Sequence, residues 1–468
     1  MSLSLQALLL VGLTGAIVLA SFAYAGRSQG VAGFFDGRDA QGRAPGLLSL
    51  VLSQVTTWIF ARSLLNAAVL GYYYGMPGTL AYTAYYASFL TGWLVVDGIR
   101  FRAGAASIQD YLMDHFGRAG TACYNFVIAL RLLSEVFANL LVIGVIFGGL
   151  FPAVADADRY AIVALALLGF GYSVLGGLRA SLRTDVLQMT GFLAIFAIAL
   201  IALFLHADFS WSAAFSAEGV AGTGPGWILL AVAALQVWSY PTHDPVMTDR
   251  GFLADRATTR KSFLHAFWLS AICIFGFGLF GVQAGLMAAD GDTMQTVWSR
   301  MFHPAILVCL NAALVVSALS TLDSALSSAA RLTIRDMRLA PLSLRNGRIA
   351  MAVFMAGGLA LTLADVKNLY AAVAVSGTAS MFLAPVLFFN ILGQVRGIPT
   401  AAYLIAFATA IGGAVLYFFV EAKAVWVMAV VGDTHKYTVL LWLCLMILAV
   451  GNAAFAVGMM CRQTKPAA

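Results

Sequence analysis

Long apolar runs separated by short polar connections are the main pattern of this chain. A spanning helix needs about 20 mostly apolar residues, and thirteen segments meet that requirement. They are 5–25, 46–75, 78–99, 119–150, 160–177, 184–206, 225–246, 263–289, 301–330, 348–364, 368–392, 398–420 and 437–460. The pattern predicts an all-α integral membrane protein with about 13 transmembrane helices.

The composition supports lipid as the main solvent of the chain. Hydrophobic residues make up 61% and charged residues 10%, with a mean hydropathy of +0.89. A soluble protein carries roughly 25% charged residues, so this much apolar surface does not fit one water-soluble core. The cysteines show no metal-binding or disulfide spacing and are expected to be reduced packing residues. They are Cys123, Cys273, Cys309, Cys444 and Cys461.

The basic residues predict the orientation. With the N-terminus outside and the C-terminus cytoplasmic, the cytoplasmic connections hold 20 of the 27 Lys and Arg residues, which is a strong positive-inside bias. We therefore attribute the net charge of +6 to basic residues that orient the chain in a cell membrane. We expect no nucleic-acid partner. The basic runs 250–261 and 331–348 are interpreted as charges on solvated loops, with lipid binding as the alternative. The run 5–25 ends like a signal peptide, and charge alone leaves its retention open.

Two segments of five runs each, 46–206 and 225–392, predict an inverted repeat. An odd number of spans makes the halves enter the membrane from opposite sides, as in many secondary transporters. The first run of each half is interrupted by polar, β-branched or proline residues, at 53–63 and at 236–245. Unwound backbone at membrane depth lines a cavity or is buried in protein, so both breaks are expected beside one central site. The remaining segments are 1–45, the outer loop 207–224, and two C-terminal spans in 393–468.

Four motifs resemble those of the sodium/solute symporter family, which has the LeuT-type 5+5 fold. Residues 317–324 read Ser-Ala-Leu-Ser-Thr-Leu-Asp-Ser, and 176–188 resemble the family's Gly-Gly segment that ends in Thr-Asp-x-x-Gln. Residues 107–117 resemble its Glu-Tyr-Leu loop, and 56–59 fit the break in its first core helix. The matches run in the family's order from about residue 26 to 392.

Several residues depart from the family pattern. His115 stands where the loop usually has arginine, Phe60 where a small or hydroxyl residue is common, and Arg62 adds an unusual cation. The run from Trp58 to Gly75 resembles the urea-transporter branch most closely.

A sodium site is implied by this resemblance. Ser317, Ser320 and Thr321 have the spacing i, i+3, i+4, which puts them on one helix face. The resemblance implies that the carbonyls of Thr56, Ile59 and Ser317 join the hydroxyls of Ser320 and Thr321 around one sodium ion. The alternative is that these hydroxyls only bond to their own helix.

Two carboxylates are candidates for a second ion site or for the ion's release route. Asp185 lies near the cytoplasmic end of the sixth run, where the alternative is an N-terminal helix cap. Asp323 shares the sodium-helix motif and is expected to attract cations or to pair with an arginine.

The substrate pocket is expected between the two breaks. The candidates are Arg62, Asn66, Arg131, Glu135, Asn139, Trp238, Tyr240 and His243. Arg131 and Glu135 are i, i+4 and are expected to form an ion pair. The alternative is that Arg62 or Arg131 anchors a substrate carboxylate. His243 beside Asp244 is read as a hydrogen-bonded structural pair, with a proton relay as the alternative.

The resemblance implies a sodium-coupled symporter that imports a small polar solute by alternating access. The solute is a carboxylate, an amino acid or a urea-like amide, because the arginines favour an acid and the urea branch favours an amide. No cofactor beyond the coupling ion is expected, and the sequence shows no catalytic motif. The alternatives are a transporter-fold solute sensor that acts through a partner protein and proton-coupled instead of sodium-coupled symport.

Overall fold

A computed structural model describes residues 2–27, 30–364 and 376–463 of the chain. Every regular element in these ranges is helical. By length and composition, nine of the described helices can cross a membrane, or ten when one bent pair is taken as a single span. The predicted all-α membrane fold is confirmed, whereas thirteen spans are not reached by these criteria.

The helices are numbered in chain order. The first nine are α1 Leu3–Ala25, α2 Val31–Asp36, α3 Leu47–Trp58, α4 Ala61–Ala84, α5 Ser88–Val96, α6 Ile108–Leu150, α7 Ala157–Gly176, α8 Leu178–Phe204 and α9 Trp211–Ser216. The others are α10 Gly224–Gln236, α11 Pro245–Gly251, α12 Arg256–Leu286, α13 Met294–Met301, α14 Pro304–Ala330, α15 Leu344–Leu363, α16 Ser376–Leu392, α17 Thr400–Glu421, α18 Val425–Val431 and α19 Lys436–Gln463.

The shortfall in the count comes from short or merged helices. The predicted spans 46–75 and 78–99 lie in α3, α4 and α5, and the backbone leaves helical geometry between them at Gly75, where φ is 60°. An unbroken helix from Ala61 to Arg102 would be about twice as long as the hydrocarbon layer is thick. The span 225–246 is divided between α10 and α11. Residues 368–375 of the span 368–392 lie outside the described residues.

Both predicted helix breaks are present. Between α3 and α4 the helix axis bends by 57°, because Ile59 (φ −92°, ψ 39°) and Phe60 (φ −62°, ψ 158°) leave helical geometry. Between α10 and α11 lies a short 3-10 turn, Tyr240–His243, followed by extended Asp244. Pro241 and Pro245 lack the backbone N–H that would continue the helix.

The broken helices pack in the interior of the bundle. Helix α4 lies along α12 and α10, while α3 packs against α12, α8 and α14. The approach of α4 to α12 depends on glycine, because a Cβ on Gly281 would lie 1.8 Å from the carbonyl oxygen of Ala68. The break after Trp58 lies beside the middle of α14, where the hydroxyl motif lies.

Two interpretations of the polar segments are corrected. Helix α8 begins at Leu178, so Asp185 lies about two turns inside it and is not an N-terminal cap. Arg179 and Arg183 lower the hydropathy of those first turns, which hid them from the apolar pattern. The basic runs are not wholly solvated either, since Arg250 is 0% and Arg331 5% exposed. Arg331 lies 3.3 Å from the carboxylate of Asp249.

Candidate ion and substrate sites

The break between α3 and α4 leaves backbone carbonyls that are not used within the helix. The hydroxyl of Ser317 donates to the carbonyl of Ile59 (2.9 Å), and that of Thr321 donates to the carbonyl of Thr56 (3.3 Å). The Tyr86 hydroxyl donates to the carbonyl of Trp58 (2.6 Å). Side-chain donors from α14 and the Tyr85–Ala87 turn therefore satisfy buried acceptors that unwinding exposes.

All five predicted sodium ligands come together at this break. A small cavity lies between these residues, and its wall consists of Thr56, Ile59, Ser317 and Ser320 together with Gln188, Met189, Phe192 and Val316. The Thr321 hydroxyl donates to the carbonyls of both Ser317 (3.0 Å) and Thr56. All five residues are buried. Carbonyl and hydroxyl oxygens are the ligands that a hard cation prefers, so the residues present fit a sodium ion.

Hydrogen bonding within their own helix, the alternative to an ion site, is seen for only some of these hydroxyls. The Thr321 hydroxyl does bond to its own helix, as does that of Thr56, which donates to the carbonyl of Leu52 (2.7 Å). The Ser317 hydroxyl instead reaches the other helix, and the Ser320 hydroxyl donates to Asp185 (2.6 Å). The hydroxyls of α14 thus connect the break to α8.

Asp185 and Asp323 lie in one buried network next to this cavity. Asp185 accepts from Ser320 and from Ser53 (2.6 Å each). Asp323 accepts from Ser181 (2.9 Å) and Thr184 (2.8 Å). Asp323 therefore bonds to two hydroxyls of α8 and not to the expected arginine. Arg250, which the sequence did not single out, lies 3.9 Å from Asp185.

A larger cavity of about 510 Å³ lies on the other side of the break. It is lined by four of the predicted substrate residues, namely Arg62, Asn66, Arg131 and Tyr240. Aromatic, amide and charged side chains complete the wall. They include Trp58, Tyr82, Tyr85, Tyr86, Gln236, Asp244, Tyr417, Glu421, Lys436 and Tyr437.

The other four predicted substrate residues do not line this cavity. Glu135 is buried behind Arg131, and the Asn139 side chain donates to the backbone carbonyl of Glu135 (2.9 Å). Trp238 is 37% exposed and packs on Phe388, with ring centroids 5.7 Å apart.

His243 is held away from the cavity by two hydrogen bonds. Its ring nitrogens contact the carbonyl of Tyr240 (2.7 Å) and the hydroxyl of Ser376 (2.8 Å). Asp244 instead caps α11 by accepting from the N–H of Met247 (2.9 Å). His243 and Asp244 therefore have separate partners and do not form the expected pair.

The predicted ion pair of Arg131 and Glu135 is confirmed and has a third member. The guanidinium lies 2.5 Å from Glu135 and 3.3 Å from Asp244. All three side chains are at most 4% exposed. Two carboxylates thus share one buried cation.

Some residues of the large cavity could have been identified from the sequence, and others could not. Tyr82, Tyr85 and Tyr86 have the spacing i, i+3, i+4, which puts three phenols on one helix face. Tyr417 and Glu421 belong to α17, and Lys436 and Tyr437 to α19, which we expected to lie outside the core. Packing between distant segments brings these four to the site, so local pattern does not reveal them.

Solved structures of transporters share this architecture. A sodium-coupled sialic acid symporter in a substrate-bound, outward-open state aligns with a TM-score of 0.72 and 14% identity, over 97% of each chain. Mhp1, a nucleobase-cation-symport-1 family transporter in a closed conformation with bromovinylhydantoin bound, aligns with a TM-score of 0.58 and 15% identity, over 93% of this chain and 96% of that one. No family model and no curated protein matches the chain. The chain therefore has the predicted LeuT-type fold, which these transporters share.

Proposed function

We propose that the protein is a sodium-coupled secondary active symporter that imports a small polar organic solute by alternating access. One observation carries this proposal: the break between α3 and α4 serves both cavities at once. Thr56 and Ile59 line the small cavity, while Thr57 and Trp58 line the large one. An ion that orders the carbonyls of this break also fixes the wall of the solute cavity, so each ligand raises the affinity of the other.

The motifs support membership in the sodium/solute symporter family, nearest to its urea-transporter branch. The charge distribution supports a cell-membrane protein with its N-terminus outside. In that orientation Glu421 and Lys436 lie at the outer end of the large cavity, which then faces outward. Asp185, at the inner end of α8, lies on the ion's release route.

The solute is a carboxylate, an amino acid or a urea-like amide. An acid would be anchored by Arg62 or Arg131, which both line the cavity. An amide would be bound by Asn66, Gln236 and the tyrosine hydroxyls, which offer both donors and acceptors.

A thermal-unfolding screen of the purified protein tests this proposal. A panel of carboxylates, amino acids and urea-like amides is measured in sodium and again in potassium at equal ionic strength. We expect at least one solute to raise the unfolding temperature more in sodium than in potassium. A panel in which no solute does so would contradict sodium coupling. Uptake of the positive solute into proteoliposomes then separates a transporter from a sensor.

Proton coupling is a second candidate, favoured by the Arg131 cluster. Two buried carboxylates against one guanidinium leave an excess negative charge, which a bound proton would neutralise. If protons drive transport instead, uptake should follow an inward pH gradient and persist when sodium is replaced by potassium.

A further inference from the structure

A pocket of about 200 Å³ lies among the segments that follow α2, α5, α11 and α14. Four arginines and one carboxylate form its polar wall, and Phe252, Leu253 and two alanines complete it. The charged residues of this arginine pocket are Asp36, Arg38, Arg100, Arg331 and Arg335. In the proposed orientation these segments are cytoplasmic, and the proposed ion and solute sites do not use them.

Two of the four arginines are compensated by carboxylates. Asp36 accepts from Arg335 and lies 3.6 Å from Arg331. Asp249 lies 3.3 Å from Arg331, and the charge of Asp336 also acts on both arginines. Asp249 and Asp336 line a separate, smaller cavity. Asp36 is thus the carboxylate of this group that reaches the wall of the arginine pocket, and its charge is already paired.

Arg38 and Arg100 form no ion pair with a carboxylate of the described residues. Each donates one hydrogen bond to a described residue, Arg38 to the carbonyl of Gly42 (2.9 Å) and Arg100 to that of Gly251 (2.8 Å). Asp255, whose charge acts on Arg100, accepts from the N–H groups at the start of α12. A guanidinium carries five N–H groups, so most of those on Arg38 and Arg100 are left for a ligand or water.

The cations of the arginine pocket act on one another. The charges of Arg38 and Arg331 both oppose that of Arg100, because the three guanidiniums line one small volume. Arg331 is only 5% exposed, and its Nε donates no hydrogen bond within the described structure. Like charges held this close repel, and an anion between them removes the repulsion.

Phosphate chemistry fits this arrangement best. The planar fork of a guanidinium matches two phosphate oxygens, and a phosphate group has enough oxygens to accept from several guanidiniums at once. A carboxylate has two oxygens and serves fewer of them. Phe252 and Leu253 form the apolar part of the wall, against which the carbon atoms of an ester can pack.

We propose that the arginine pocket binds the phosphate group of a phosphate ester, held by Arg38, Arg100 and Arg331. The ester is a soluble phosphate compound or the headgroup of a lipid, since both present the same group. The bound phosphate connects the segments after α2, α5 and α14 and so stabilises the folded protein. This site does not depend on the proposed sodium coupling.

Thermal unfolding of the purified full-length protein tests the inference without sodium or solute. Inorganic phosphate is titrated as its potassium salt, and potassium chloride holds the ionic strength constant. The unfolding temperature of the wild type should rise saturably. Arg38→Gln should raise the half-saturating phosphate concentration about tenfold or more, because charge-assisted hydrogen bonds are lost. Arg38→Gln/Arg100→Gln should abolish the saturable rise.

Arg43→Gln is the matched control. Arg43 lies in the same loop as Arg38, its side chain is 75% exposed, and it pairs with Asp39 (2.7 Å) outside the pocket. This variant should respond to phosphate like the wild type. Phosphate also stabilises proteins through exclusion from their surface, and that unsaturable effect should be equal in all variants. If the double variant does not fold, Arg38→Gln decides the test, since Arg38 is exposed.

Phosphatidic acid in mixed micelles, compared with phosphatidylcholine, distinguishes the two sources of the ester. A response to inorganic phosphate alone assigns a soluble ester, and a stronger response to phosphatidic acid assigns a lipid headgroup; both should weaken in Arg38→Gln. If neither probe raises the unfolding temperature of the wild type saturably, the inference is overturned. Equal responses of Arg38→Gln and Arg43→Gln overturn it as well.

Discussion

Asp185 makes contacts that no local pattern could have shown. Its carboxylate meets Ser53 of α3, Ser320 of α14 and the guanidinium of Arg250 in α11. The helix spacing of Ser317, Ser320 and Thr321 is a local property, and it correctly predicted which hydroxyls share a face. The partners of those hydroxyls depend on how α3, α8 and α14 pack, so the sequence identified Asp185 and Asp323 as candidates but not their hydroxyl partners or Arg250.

The shared cation of the Arg131 cluster predicts unequal effects of two substitutions. Arg131→Gln leaves Glu135 and Asp244 buried without a cation and should lower the stability by about 3–5 kcal/mol. Glu135→Gln keeps the Arg131–Asp244 pair and removes the excess charge, so its cost should be much smaller. Thermal unfolding in detergent measures both. Equal destabilisation by the two variants would show that the excess charge is not a feature of the folded protein.

His435, next in sequence to the cavity residue Lys436, predicts a pH dependence of the protein's stability. Burial, and then the neighbouring Lys436, hold the pKa of His435 below its usual value of 6.5. Tyr74, Tyr437 and Glu421 also lie near it. The folded state therefore favours neutral His435, and below about pH 6.5 the unfolded chain gains protons that the folded protein resists.

The unfolding temperature should consequently fall as the pH is lowered from about 7 towards 5. In His435→Asn this fall should be smaller, because the titrating group is absent. An identical pH profile for the variant and the wild type would exclude His435 as the source of the fall in unfolding temperature.

At the scale of elements, the two breaks were the most predictable feature. Proline, β-branched and hydroxyl residues weaken a helix wherever it packs, so 53–63 and 236–245 could be identified from sequence. Element ends were less predictable, because Arg179 and Arg183 lower the hydropathy of the first turns of α8 and an apolar window overlooks them. The predicted start of the fourth span at residue 119 lies just after Gly117, where the backbone of α6 leaves helical geometry (φ 63°).

The contact between α4 and α12 predicts a steric effect. Gly281→Ala would place a methyl group 1.8 Å from the Ala68 carbonyl oxygen. Neither helix backbone yields readily, so the variant should lose about 1–3 kcal/mol of stability.

Gly412→Ala is the matched control for this substitution. It lies in α17, and a Cβ there meets nothing within 4 Å; its effect should stay within about 1 kcal/mol. Equal unfolding temperatures for the two variants would mean that α4 and α12 do not approach this closely.

At the scale of the whole molecule, Trp58 connects the proposed ion site to the large cavity. Its ring packs against Tyr86 and Tyr240, with centroids 5.7 Å and 5.3 Å away, and Tyr240 belongs to the second break. An ion that orders the first break is therefore expected to affect the conformation of the second break. Both broken helices line the same cavity, which agrees with the alternating access that we propose.

The overall architecture was predictable from sequence, whereas the full wall of the large cavity was not. Apolar runs, two breaks and four motifs in order are enough to predict a LeuT-type fold. The cavity wall also uses Tyr417, Glu421 and Lys436 from the C-terminal helices, whose sequence resembles ordinary lipid-facing spans. Their role follows from long-range packing alone.

Direct binding of radioactive sodium to the purified protein tests the central claim. The wild type should bind sodium saturably, with no competition from potassium, and Ser320→Ala/Thr321→Ala should lose this binding because two ligand oxygens are gone. Ser327→Ala is the control, since its hydroxyl bonds to the carbonyl of Ser324 (2.9 Å), and it should bind like the wild type. Equal sodium binding by the double variant and the wild type would contradict the assigned ion site.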